Sequence, residues 1–244
     1  MSQLYLSLDS ALQFRLLYEH QEPSLNALAV LSEWSDINGL SLTAREDFMS
    51  TFMLQMKRFK EELNLKINAQ LTTDLDVART AFELQPDRVT LLPSRWVGAS
   101  VVGGLDVYHI QDQLRTQIMQ LHEADIEVAV QVEPKTNLIK RLQRLDADVV
   151  ILSTHALMSS GRGEARRTQF REVMDVAVLA ARLGLKVGVS GGIDLTACEQ
   201  LSRIKQVSEI HVGESILGRA MMRGLEQSIQ DFLKAIQRGR QNLL

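Results

Sequence analysis

Short apolar runs recur along this chain, and longer stretches with apolar residues at helical spacing separate them. The runs cover residues 4–8, 37–43, 65–71, 88–92, 126–132, 148–153, 185–190 and 209–212. Each reads as a strand, because apolar and β-branched residues gather over a short span and a turn signal follows. Between them, Met49, Phe52, Met53, Met56 and Phe59 fall on one face of a helix over 48–63. Ser24 caps a predicted helix reaching residue 34, and Thr73 or Asp74 caps one reaching residue 84. Further helices are predicted over 108–123, 137–145, 167–183 and 224–238, with Gly184 at the end of the third of these. Residues 156–162 read as a polar loop, and residues 94–106 as a loop longer than an ordinary connection between strand and helix.

Strand and helix alternate, so parallel pairing through helical crossovers follows. The count of eight units predicts an α/β fold, a (β/α)8 TIM barrel with extra helices, spanning 1–244 as one domain. An open doubly wound sheet is the alternative that the same pieces allow. The last two strands both end in glycine, at Gly191-Gly192 and at Gly213. Glycine lets backbone N–H groups approach a ligand, and a following helix N-terminus favours an anion. Tandem turns of this kind at the end of a barrel point to a phosphate-binding mouth.

Composition narrows the function classes. With 27 basic and 30 acidic residues the net charge is −3, which gives no polybasic surface for nucleic acid or anionic lipid. The lone cysteine, Cys198, permits neither an internal disulfide nor a thiolate metal cluster. No zinc or calcium spacing is present, and no run reaches the length of a membrane span. The start of the chain lacks the features of a secretory signal, so the expected location is cytoplasmic.

Candidate chemistry concentrates at the predicted strand ends. Asp9 and Ser10 follow the first run, and Arg45 with Asp47 follows the second. Arg45 fits a bidentate clamp on a carboxylate or phosphate, or a structural ion pair with Asp47. Glu133 and His155, after the fifth and sixth runs, are with Asp9 the candidates for proton transfer. Asn68 and Gln70 lie within a strand, where one of them faces the lumen; His211 reads as structural, and Trp96 either packs or covers a ligand. The substrate or phosphate-binding set is Asp9, Ser10, Arg45, Ser100, Gly191, Gly192, Gly213 and Glu214, with no metal ligand.

Several of these segments resemble the pyridoxine 5′-phosphate synthase family. Thr43-Ala44-Arg45-Glu46-Asp47 is similar to that family's His-Leu-Arg-Glu-Asp. Gly103-Gly104-Leu105-Asp106-Val107 and Leu183-Gly184-Leu185-Lys186-Val187 match family segments directly, and residues 209–221 match a further one. The order and spacing agree over essentially the whole chain. The resemblance implies a TIM barrel that condenses 1-deoxyxylulose 5-phosphate with 3-amino-2-oxopropyl phosphate, in the biosynthesis of pyridoxine, with no cofactor. It also implies a homo-oligomer, an octamer built from dimers, and a small phosphorylated or anionic metabolite as ligand, with neither nucleic acid nor membrane as partner.

The family's proton-handling positions are changed. Its histidine base corresponds to Thr43, its strand-three glutamate to Ala69, and its histidine acid to Gly191. Its histidine after the last strand glycine is Glu214, and its remaining site positions fall on Ser7, Tyr18 and Ser50, while Asp9, Arg45, Gly192 and Gly213 are kept and Ser100 takes the place of a threonine. Thr43, Ala69 and Gly191 hold no proton that titrates near neutral pH, and each such loss costs about 10²–10⁴ in rate. Three readings result: a family enzyme with altered chemistry, a catalytically silent relative that binds a phosphorylated metabolite or a partner, and a barrel aldolase or isomerase on another small substrate.

Overall fold

The computed structural model describes residues 2–18, 22–98, 100–161 and 163–243, with the backbone alone at Ser100. Eight parallel strands close into a barrel: β1 (Gln3–Ser7), β2 (Gly39–Thr43), β3 (Lys66–Thr72), β4 (Arg88–Leu92), β5 (Glu127–Val132), β6 (Val149–Ser153), β7 (Lys186–Ser190) and β8 (Val207–Val212). Each strand pairs with its sequence neighbours, and β8 pairs with β1 through Leu4↔Ile210 and Tyr5↔His211. The expected closure is therefore met, and the open sheet is excluded.

Side chains alternate across each strand. Leu4 and Leu6, Leu40 and Leu42, Ile67, Ala69 and Leu71, and Val128, Val130 and Val132 belong to the large apolar cluster under the helices. The alternate positions face the lumen, where Ala129, Val149 and Ile151 form a separate small cluster. Around those three the lumen is polar. At the end where the strands begin, Arg88 is fully buried and forks onto Glu209, with Nη1–Oε2 at 2.6 Å and Nη2–Oε1 at 2.7 Å. Arg88 Nε also donates to Glu127 at 2.6 Å, and Lys66 and Lys186 close on the same carboxylate. Each buried charge here has an opposite partner, as burial demands, while the two lysines reach in from the partly exposed rim.

The helices on the outside are α1 (Asp9–Leu17), α2 (Leu25–Trp34), α3 (Met49–Glu62), α4 (Val77–Leu84), α5 (Gln111–Glu123), α6 (Thr136–Arg144), α7 (His155–Ser159), α8 (Glu164–Arg182), α9 (Leu195–Ser202), α10 (Glu214–Arg223) and α11 (Leu225–Gln241). Ser24 caps α2 as expected, its hydroxyl accepting the Ala27 N–H. Asp76, rather than Thr73 or Asp74, caps α4. Gly184 follows α8 at φ +87°, the left-handed conformation that ends a helix. Two differences bear on the mouth. Asp9 opens α1 instead of trailing a strand, and His155 opens α7 where a polar loop was expected. Within the long loop, Trp96–Val97 pairs antiparallel with Ser100–Val101.

Candidate active site at the barrel mouth

A cleft opens at the end of the barrel where the strands finish, as in other barrels of this class. It is lined by Ser7, Asp9, Ser10, Thr43, Gln70, Gln131, His155, Ser190, Gly191, Gly192, His211, Gly213, Glu214 and Ser215, among others. Four of the sequence candidates, Asp9, Ser10, His155 and Glu214, thus converge with both glycine turns. No lysine or arginine lines it among the described residues.

Asp9 is held from three sides. Its Oδ1 accepts the Thr43 N–H at 2.7 Å, and its Oδ2 accepts the Ser7 hydroxyl at 2.9 Å. The Thr43 hydroxyl stands 2.7 Å from Asp9 Oδ2 and equally 2.7 Å from Gln70 Oε1. One hydroxyl hydrogen cannot serve two acceptors, so the trio needs a second donor. A proton on Asp9 supplies it, or the Gln70 amide turns its nitrogen inward. Burial pushes the Asp9 carboxyl upward, against the hydrogen bonds of Thr43 and Ser7 and the field of Arg45.

Position 69 requires a correction. Ala69 packs in the outer cluster, so its side chain points to the helices and not to the lumen. The residue that faces the mouth from β3 is its neighbour Gln70. A slip of one residue in a strand exchanges its two faces. The side chain that β3 presents to the mouth is thus an amide with no titratable proton.

His155 occupies space next to Gly191. A Cβ on Gly191 would lie 2.7 Å from His155 Cδ2 and 3.0 Å from its Nε2, and Gly191 sits at φ +117°. The imidazole has thus taken the volume that a side chain at 191 would use. Its Nε2 is 3.1 Å from the Val101 carbonyl. A carbonyl only accepts, so Nε2 carries the hydrogen of this contact.

Two candidates lie elsewhere. Arg45 forms a two-pronged pair with Asp47, at 3.1 and 3.0 Å, and its guanidinium lies between the rings of Phe48 and Trp96, 5.1 and 4.9 Å from their centres. It stands beside the cleft, not in its lining, and Trp96 packs on it. Glu133 lies under the Gly103-Gly104 turn: a Cβ on Gly104 would meet Glu133 N at 2.2 Å, and one on Gly103 would stand 3.3 Å from Glu133 Oε1. The cleft residue from β5 is Gln131, whose amide donates to the Gly103 carbonyl at 2.8 Å. The side chain of Ser100 lies outside the described part. Tyr18 and Ser50 are exposed and away from the lining.

The two glycine turns differ in what they offer an anion. After β7, Asp194 caps α9 by accepting the Ala197 N–H at 2.7 Å, so that helix end is already served by a carboxylate. After β8, Gly213 is the N-cap of α10 and no side chain caps it. A Cβ at 213 would lie 3.0 Å from Ser7 O, tighter than an ordinary contact, so a side chain there would push on the end of β1. Glu214 in the first turn of α10 is exposed, and its acidic charge suits that end of the helix.

Residues 4–238 match the family model described as "Pyridoxal phosphate biosynthesis protein PdxJ". The chain belongs to the PdxJ family. A pyridoxine 5′-phosphate synthase of Pelodictyon phaeoclathratiforme is 26% identical over 233 residues, covering 96% of this chain and 99% of that protein. The namesake enzyme of Aquifex pyrophilus is also 26% identical, over 87% of this chain and 92% of its own. Among solved structures, 3-keto-L-gulonate-6-phosphate decarboxylase from Vibrio cholerae superposes with a TM-score of 0.64 at 15% identity, covering 98% and 97% of the two chains. Phosphoribosylanthranilate isomerase from Pyrococcus furiosus gives 0.61 at 12%, covering 97% and 99%. At such identities these structures share the fold alone. No helix among the described residues is long and apolar enough to cross a membrane.

Proposed function

We propose that this PdxJ-family barrel binds a small phosphorylated metabolite at its mouth and does not run the ring-closing condensation. The observation that carries this is the identity of the lumen-facing residues: Thr43 and Gly191 stand where the resembled family places titratable groups, and Gln70 has no titratable proton. Asp9 remains, but it is buried and tied to Thr43 and Ser7 by hydrogen bonds. The phosphate is received by the uncapped first turn of α10. Glu214 does not forbid this. Its carboxylate is exposed, so repulsion at about 4 Å falls to about 1 kcal/mol in water, comparable to what a helix N-terminus returns. Self-association is part of the same reading, supported by the exposed Leu17, Met221 and Met222 on α1 and α10.

The test is direct. Purified protein is given 1-deoxyxylulose 5-phosphate and 3-amino-2-oxopropyl phosphate, and both pyridoxine 5′-phosphate and free phosphate are followed. The expected result is no product above background, with a rise in melting temperature from one substrate alone, since a ligand bound at 100 times its Kd stabilises by about 2.7 kcal/mol. Enzymatic formation of the product overturns the proposal.

A second reading is favoured by His155 standing in the volume beside Gly191. An imidazole retained there supports proton transfer on a sugar phosphate, as in an isomerase, with His155 as base. Uptake of solvent deuterium by 1-deoxyxylulose 5-phosphate, lost in His155→Ala, supports that reading; no exchange removes it.

A further inference from the structure

Beneath the cleft lies a carboxylate–imidazole pair that the mouth residues do not account for. His211 Nε2 is 3.2 Å from Glu209 Oε2, and the two side chains are 2% and 4% exposed. Arg88 grips the same carboxylate with both terminal nitrogens. Burial opposes the charge on Glu209, but the hydrogen bonds from His211 and Arg88 outweigh it and hold the carboxyl far below the usual range. An ionised carboxylate has no hydrogen to give, so the hydrogen of this contact sits on His211 Nε2. Burial also lowers the His211 pKa, against the pull of Glu209. The ring is therefore neutral at pH 7, and its Nδ1 is a bare lone pair.

The surroundings fix the ring. Tyr5 of β1 stacks on it at 4.7 Å between centres and 18° between planes. Arg88 of β4 lies over the ring of that tyrosine, 5.4 Å from its centre. On β7, Gly188 lies alongside the ring: a Cβ there would stand 3.4 Å from Nε2 and clash with Ile151 Cδ1 at 2.6 Å. His211 lines the cleft, yet its Nδ1 has no hydrogen-bond partner and no exposure. A buried acceptor without a donor is costly in a folded protein unless something supplies the donor.

We propose that His211 Nδ1 is the acceptor at the inner end of the cleft, held in this tautomer by Glu209, and that it selects a metabolite presenting a hydroxyl or an amine there. The proposal rests on the reading that the mouth cleft is the metabolite site. It adds a requirement to that reading: one end of the ligand is an anion for α10, and the other carries a hydrogen-bond donor.

Histidine-selective ¹⁵N labelling of the full chain, with long-range ¹H–¹⁵N correlation at neutral pH, reads the tautomer without any ligand. Two probes are then added, 1-deoxyxylulose 5-phosphate and sulfate, which has no donor. The expected result is His211 in the Nε2–H form. The sugar phosphate moves its Nδ1 resonance and sulfate does not, while both move the backbone amides of Gly213 and Ser215. His211→Phe keeps a ring against Tyr5 and is expected to weaken the sugar phosphate about tenfold, the worth of one such bond, leaving sulfate unchanged. An Nδ1–H tautomer or an imidazolium in the free wild-type protein overturns the proposal whether or not the variant folds. Sugar phosphate that moves Gly213 and Ser215 but not Nδ1 overturns it while leaving the cleft as the binding site. If neither probe moves any cleft amide, the metabolite reading fails and the proposal falls with it.

Discussion

Gly191→Ala places a methyl group where the His155 ring already is. Two costs arise, and the structure separates them. The backbone at φ +117° strains any residue with a Cβ, by about 1–3 kcal/mol. The methyl group also comes to 2.7 Å from His155 Cδ2, well inside ordinary contact, so the ring must turn away. Turning breaks the Nε2–H bond to Val101, worth about 1 kcal/mol. The single variant should therefore lose about 2–4 kcal/mol, or roughly 4–16 °C in Tm at about 2–4 °C per kcal/mol for a chain of this size. In a His155→Ala background the overlap vanishes and only the backbone strain remains. Urea unfolding of the wild type, both single variants and the double variant gives the coupling energy, expected near 1 kcal/mol. Equal cost of Gly191→Ala in both backgrounds would refute the claim that His155 occupies the space beside residue 191.

Three further outcomes follow from the geometry. Arg88→Met takes the two-pronged partner from buried Glu209, while Glu127 keeps Lys66 and Lys186, and should cost about 3–5 kcal/mol in urea unfolding at pH 7. Both carboxyls sit below their ordinary range in the wild type, so their contribution holds above the unfolded carboxyl pKa of about 4.3 and is lost as pH falls below it; the gap between variant and wild type should shrink with acid, and adding Glu209→Gln should recover part of the loss. Burial, with Asp194 and Glu199 nearby, pushes the Cys198 thiol up to about 12. Its folded pKa is raised, so the contribution is complete below the unfolded thiol pKa of about 8.5 and fades as pH climbs past it; native protein should resist a disulfide reagent at pH 8 and react on unfolding, whereas prompt native reaction would contradict the burial. Gly104→Ala drives a methyl into Glu133 N at 2.2 Å and Val132 C at 2.3 Å, both backbone. Overpacking of this kind costs about 1–3 kcal/mol, and limited proteolysis should find the 94–106 loop cut faster than in wild type.

The barrel was legible because each strand is a compact apolar run and each connection carries helical periodicity. The short helix His155–Ser159 was not, since five residues give no period to read. Asp9–Leu17 escaped for a related reason: Asp9-Ser10 looks like a turn until α1 is seen to start there. The error at position 69 has a different origin. Ala69 and Gln70 both lie in β3, and only register decides which faces the lumen. The meeting of His155 with Gly191 joins residues far apart in sequence; the in-register pair Ser153↔Ser190 on neighbouring strands brings them together. Glu133 and Gln131 were similarly confused, because a strand end shows its chemistry without its direction. His211 read as structural because it lies inside a strand, and only the structure shows its pairing with Glu209 and a second nitrogen without a partner.

The buried charges around Arg88 make the barrel a blind well. Arginine, lysine and glutamate side chains knit across the starting ends of β3, β4, β5, β7 and β8 and fill that end of the lumen with paired charge. A metabolite bound at the mouth, as proposed, would then come and go by the mouth alone, and a departing molecule would stand in the path of its replacement.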